Sequence, residues 1–329
     1  MTAREDARPP PPGASAGRRQ GHRVRHGLLR ALTLAFFAAV AAFGVRYALT
    51  VDWPGVGRAI TAMPPSVLLQ AAALAAASHA LYSCFDLLGR HYTRHRLPVR
   101  QVMAVNFISY AFNLNMGSLV GGVAFRLRLY ARLGLAPAVI TRVMTLSMLT
   151  NWLGYFVLGG AVFLAAPLPL PAGWTLGTPG LQALGGGMLA LAAGWLWLCL
   201  RARRREFSVR GHEVVLPPAR MAALQVVMSC ANWALMGALV TVLLQGRLPY
   251  ATVLAVLLVA AVAGVLTHVP AGLGVLEAVF VALLSHRLPA ATVLAGLVSY
   301  RVLFYLLPLG VGAAVFLRME TRGKHGVRC

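Results

Sequence analysis

Long apolar runs recur along this sequence, and short arginine-bearing segments separate them. A run of about 20 apolar residues is what a helix needs to cross a bilayer. With backbone groups unable to bond water in hydrocarbon, such runs must become helices. The chain therefore reads as a polytopic membrane protein, which excludes a soluble domain. It is 59% apolar and 12% charged, with a net charge of +22. Almost all of that charge is arginine, because Lys324 is the only lysine. So basic a chain invites a nucleic-acid reading. The arginines instead lie in short loops between apolar runs, where the positive-inside bias puts them, so no nucleic-acid partner is expected.

Residues 1–27 are Pro- and Arg-rich and read as a disordered cytoplasmic tail, too long for a signal peptide and without a clear cleavage site. Six full spans are predicted at 28–49, 67–88, 137–166, 181–200, 221–244 and 290–317. Segment 51–66 reads as a loop with Trp53 at interface depth, 201–220 as a basic loop, and 318–329 as a basic cytoplasmic tail.

Two segments do not fit a single span. Residues 99–133 are interrupted by Asn113, Asn115 and Gly117, then by Gly121 and Gly122. Residues 250–286 are interrupted by His268, Pro270, Gly272 and Gly274. Pro and Gly stop a helix, and the arms on either side are too short to cross comfortably. Basic segments are 1–27, 90–100, 126–132, 201–220 and 318–329; nearly neutral ones are 51–66, 167–180, 245–249 and 285–289. Placing every basic segment in the cytoplasm makes 99–133 and 250–286 re-entrant from opposite sides. The expected fold is an all-α membrane domain over 28–317, an inverted repeat with halves of about 28–166 and 181–317. Each half has three spans and one re-entrant helical hairpin: six full spans and two hairpins, or eight spans if each hairpin counts as one. An offset of 153 pairs Gly121 with Gly274 and Gly159 with Gly312.

Broken helices at membrane depth are the sequence pointer to a transport site. Glu277 lies just behind the second break, and Arg301 lies inside the last span. Both are costly in a membrane and need a partner. For Arg301 the partner is either Glu277 or a lipid phosphate, whose oxygens match the guanidinium fork. The phosphate reading is preferred, because Arg126 and Arg128 supply positive charge beyond what Glu277 can neutralise. The candidate headgroup site comprises Asn113, Asn115, Gly117, Gly121, Gly122, Arg126, Arg128, His268, Pro270, Gly272, Gly274, Glu277, Tyr300 and Arg301. Asp86 reads as an ion-pair partner of the basic loop behind it, and His268 as a core histidine.

No nucleophile elbow, phosphate-binding loop or dinucleotide fingerprint occurs, so no catalytic residue and no cofactor is expected. Cys84, Cys199, Cys230 and Cys329 have no metal spacing; His91 and His95 are four apart without an evident third ligand, so no metal is expected.

Residues 109–135, SYAFNLNMGSLVGGVAFRLRLYARLGL, resemble the gly-gly/arginine stretch of the lysylphosphatidylglycerol synthase transmembrane-region family. THVPAGLGVLEAVF and SYRVLFYLLPL resemble later motifs of that family, in its stand-alone inner-membrane YbhN type. The resemblance implies a flippase-like domain in a bacterial inner membrane, with both termini cytoplasmic. In bifunctional members that domain moves aminoacylated phosphatidylglycerol between leaflets, and a soluble aminoacyltransferase domain follows it. This sequence ends at Cys329, so synthase activity is not expected. Ala271 departs from the second glycine common after the proline.

The expected function is binding or translocation of an anionic or aminoacylated phospholipid, with membrane phospholipids as partners. Two alternatives stand beside it. One is an intramembrane lipid-modifying enzyme using Glu277 and His268. The other is a non-transporting scaffold whose partner is a separate lipid synthase.

Overall fold

The computed structural model describes residues 52–165, 177–201, 206–209, 212–267, 269 and 272–325. The tail 1–27, the expected span 28–49, His268 and Pro270 lie outside the described residues. Among the described residues, six helices are long and apolar enough to cross a membrane, and the fold is all-α apart from one small hairpin of strands.

Segment 51–66, expected as a loop, holds helix α1 (Trp53–Thr61). Asp52 Oδ1 accepts from the Gly55 backbone N–H at 3.0 Å, and Pro54 sits in the first turn, two ordinary helix-start signals. Val56 is buried while Trp53 stays half exposed, so α1 has one inner face, packed on the later helix α11.

Helices α2 (Pro65–Ser83) and α3 (Phe85–Thr93) form one long apolar element bent at Cys84. The bend has a chemical cause. Asn106 Nδ2 donates to Tyr82 O at 2.7 Å and Ser83 O at 3.4 Å, taking up carbonyls that the bend frees. Asn106 belongs to α4 (Val99–Met116), which is longer than the sequence reading of that arm: 18 residues, or about 27 Å. Gly117, at φ +86°, ends it. A π-helical segment (Ser118–Ala124) and α5 (Phe125–Arg132) return the chain.

Helix α6 (Pro137–Ala165) packs on both α7 (Thr178–Arg201) and α8 (Ala219–Leu243). Small residues permit the approach. A Cβ on Gly160 would lie 2.8 Å from Gly185 O, and one on Gly185 would lie 2.9 Å from Gly160 O. In lipid, where tails are as apolar as leucine, such backbone proximity supplies the packing energy.

The basic loop 201–220 contains strands β1 (Glu206–Val209) and β2 (His212–Val215), paired antiparallel from Glu206↔Val215 to Val209↔His212. The loop expectation missed two short runs, EFSV and HEVV, around a Gly-bearing connection, which is a hairpin signal.

Helices α9 (Tyr250–Thr267) and α10 (Val275–Leu284) flank the second break. Taken from sequence as a re-entrant arm, α9 is itself long and apolar enough to cross. The last span is three pieces of one helix: α11 (Ala290–Tyr300), a π-helical segment (Arg301–Leu306) and α12 (Leu307–His325). Pro308 follows the π segment and brings no N–H to the carbonyl of Phe304, four residues back. His79 Nε2 lies 3.0 Å from that oxygen, and Asn115 Nδ2 donates to the next carbonyl, Tyr305 O, at 3.2 Å. Side chains of α2 and α4 thus satisfy the widened helix, as a membrane interior requires.

Several landmarks share nearly one spacing. Helix α6 starts at Pro137 and α11 at Ala290, 153 residues apart, while the first arms end at Met116 and Thr267, 151 apart. Arg94 and Gln245, also 151 apart, both adopt left-handed backbone at φ 54° and 55° just before those arms.

Candidate functional site

A cavity of about 580 Å³ lies between the two helix breaks. The α4 end contributes Asn113, Met116 and Gly117, and the second break contributes Val269 and Gly272. Aromatic side chains from four other elements close it: Tyr82, Trp233, Tyr300 and Tyr305. Tyr82 and Tyr110 stack face to face at 3.5 Å, which fixes one wall. Polar tips on apolar and aromatic walls suit an amphiphile with a polar group at one end.

The ion pair next to it is built from the breaks themselves. Gly274, at φ +77°, begins α10 and puts Glu277 in its first turn. Arg301 opens the second π segment. Its Nε donates to Glu277 Oε1 at 2.6 Å, and its Nη2 donates to Glu277 Oε2 at 3.0 Å. Nη2 also donates to Gly272 O at 2.8 Å. The guanidinium lies 5.1 Å from the Tyr305 ring centre. Gly272 and Tyr305 both line the cavity, so this pair braces its wall. π-helical turns concentrate at functional sites, and this one carries the arginine.

The first break is braced differently. A Cβ on Gly121 would fall 2.1 Å from Asn113 N and 2.2 Å from Phe112 C, so only glycine lets the π segment lie on α4. Gly122 faces the Asn113 side chain. Asn115 turns from the cavity to the backbone of Ala111 and Tyr305.

Arg126 and Arg128 do not join the cavity. Arg126 is buried and lies 3.4 Å from Asp86 Oδ1, with Asn106 Oδ1 and Ser147 Oγ also accepting from it. Tyr130 donates to the other Asp86 oxygen at 2.8 Å. The expectation that Asp86 pairs with the loop behind it is corrected: its cation is Arg126 of α5, which Asn106 of α4 and Ser147 of α6 also hold. Arg128 pairs with Glu320 at 3.1 Å, and Arg132 shares the same carboxylate. The surplus of positive charge that favoured a lipid phosphate on Arg301 therefore has protein carboxylates of its own.

Of the sequence-selected residues, Asn113, Gly117, Gly272 and Tyr300 line the cavity, and Gly121, Gly122, Asn115, Glu277 and Arg301 shape it. His268 and Pro270 lie outside the described residues. Sequence reasoning passed over Tyr82, Tyr110, Asn151 and Trp233, which also line it. The available signal was polarity inside an apolar run: Asn106, Asn151, Gln225 and Asn232 all sit within helices of the bundle.

Comparison with known proteins matches the model of the lysylphosphatidylglycerol synthase TM region over residues 30–312. The chain is 44% identical over 294 residues to "Inner membrane protein YbhN" of Escherichia coli (strain K12), covering 89% of this chain and 92% of that protein. It is 30% identical over 284 residues to "Uncharacterized protein slr0712" of Synechocystis sp., covering 83% and 88%. On its apolar helices, its motifs and these matches, the chain is a multi-pass membrane protein that belongs to the lysylphosphatidylglycerol synthase transmembrane-region family.

Proposed function

We propose that the protein is a flippase-like inner-membrane protein that binds a phospholipid headgroup in the central cavity and carries it between leaflets. The headgroup is anionic or aminoacylated. One observation carries this reading: a cavity of about 580 Å³ lies where the two helix breaks meet, inside a bundle of membrane-length helices. Ligand sites of roughly 300–1,000 Å³ are the usual size for a small polar group with its apolar attachment. Family membership and the name of the Escherichia coli relative support a lipid-related role in an inner membrane.

In this reading the two halves are inverted, both termini are cytoplasmic, and the breaks are the tips of opposed hairpins. Asn113 and the glycine backbone meet the headgroup, while Glu277 and Arg301 hold the second tip in place. No bond is made or broken in the lipid. The test is reconstitution into liposomes with fluorescent phospholipids of several headgroups, combined with mass spectrometry of lipid retained on purification. Protein-dependent transfer with one headgroup class retained supports the reading. Retention of lipid without transfer would favour a scaffold, and chemically altered lipid would favour an enzyme.

A further inference from the structure

The last turn of α3, the segment after it and Pro218 line a second cavity, of about 510 Å³, that shares no lining residue with the central one. Arg90, His91, Arg94, His95 and Arg96 line it, and among the described residues no carboxylate does. Sequence alone reads these residues as a solvated basic loop, in which like charges would spread apart. Here they line one concavity, with Arg94 and Arg96 exposed at it, and two features order the segment. Arg90 Nε donates to Leu97 O at 2.7 Å, closing the segment on itself. Arg94 ends α3 in left-handed backbone at φ 54°, a conformation that non-glycine residues rarely adopt. His95 sits against the Tyr130 ring, and both its ring nitrogens are buried without a hydrogen-bond partner. Unpaired buried polar atoms beside a concavity lined by arginines, with no lining carboxylate among the described residues, suit an anion.

We propose that this pocket binds a phosphate-bearing anion through Arg94, Arg96 and His95. The ligand chemistry is a phosphomonoester or phosphodiester, carried by a lipid headgroup or by a free phosphate compound. The oxygens would accept from the exposed guanidinium forks of Arg94 and Arg96, and a turn of the His95 ring would offer one of its unpaired nitrogens. Burial and the Arg90 charge hold His95 below its ordinary pKa, with Asp86 offsetting part of this. A bound anion would act in the same direction as Asp86. Binding here does not depend on whether the central cavity transports lipid.

The test uses the full chain in detergent and isothermal titration with three probes: inorganic phosphate, glycerol 3-phosphate, and dihexanoyl phosphatidylglycerol below its micelle concentration. The informative variant is Arg94→Gly with Arg96→Gln, because glycine suits the left-handed backbone and folding should hold or improve. Arg100→Gln is the control: it removes one exposed arginine from the first turn of α4, outside the cavity wall. Saturable binding should weaken about ten-fold or more in the double variant and stay within about two-fold in the control, as expected for loss of charged hydrogen bonds. Tighter binding of the short-chain lipid than of glycerol 3-phosphate assigns the site to a headgroup; equal or tighter binding of the water-soluble probes assigns it to a free phosphate compound. Absence of saturable binding by all three, or an equal loss in the control, overturns the proposal.

Discussion

Arg301 grips Glu277 with two parallel hydrogen bonds, of 2.6 and 3.0 Å, and ties the start of a π segment to the first turn of the helix behind the second helix break. Both side chains are mostly buried, at 13% and 15% exposure. Removing one member of such a pair leaves an uncompensated charge at membrane depth. Glu277→Gln should therefore destabilise the protein by about 3–5 kcal/mol. Exchanging the charges, Glu277→Arg with Arg301→Glu, should recover part of that stability, read as thermal unfolding in one detergent. If Arg301 served a lipid phosphate instead, Glu277→Gln would leave unfolding nearly unchanged while altering transfer.

The two breaks should respond differently to a methyl group. Gly121→Ala drives Cβ into the backbone of Phe112 and Asn113, which cannot move aside, so a loss of about 1–3 kcal/mol or more is expected. At Gly274 nothing lies within 4 Å of a built Cβ, and only the left-handed backbone resists. Gly274→Ala should cost about 1 kcal/mol, and Gly274→Leu should still insert while blocking transfer. Equal instability at both positions would remove the distinction.

Orientation can be read by cysteine labelling in a cysteine-free background. Leu248 is buried, so the exposed Arg247 on the same turn is the better site. Arg247→Cys should label from outside intact cells and Thr321→Cys should not. Labelling of Thr321→Cys from outside would reverse the charge-based topology.

His95 gives a pH signature. Its pKa is lowered in the folded state, so folding binds fewer protons than the unfolded chain does. Its contribution to stability is fully present above the ordinary value of 6.5 and is lost as pH falls below it. The groups facing it are Arg90, Asp86 and the Tyr130 ring, with Arg94, Arg96 and His91 around the same cavity. His95→Gln should flatten the unfolding midpoint between pH 6.5 and 5, and phosphate in the buffer should weaken the wild-type slope. An unchanged slope in the variant would assign the titration to another group.

The apolar runs, their Pro and Gly interruptions and the placement of arginines between them were enough to identify a polytopic helical protein with two broken segments. They were enough because each is a local rule: a helix of sufficient length, a missing N–H, a charge kept out of hydrocarbon. Family motifs at 109–135 and around Glu277 and Arg301 were legible for the same reason. Which cation meets which carboxylate was not. Asp86 takes Arg126 because α4 presents Asn106 to the same guanidinium, and Glu320 takes Arg128 and Arg132 because α12 packs beside α5, as Phe316 against Phe125 shows. The aromatic wall of Tyr82, Tyr110, Tyr300 and Tyr305 likewise comes from helices far apart in the chain. Those contacts depend on crossing points between helices, which backbone approach at Gly121, Gly160 and Gly185 sets and which no single segment encodes.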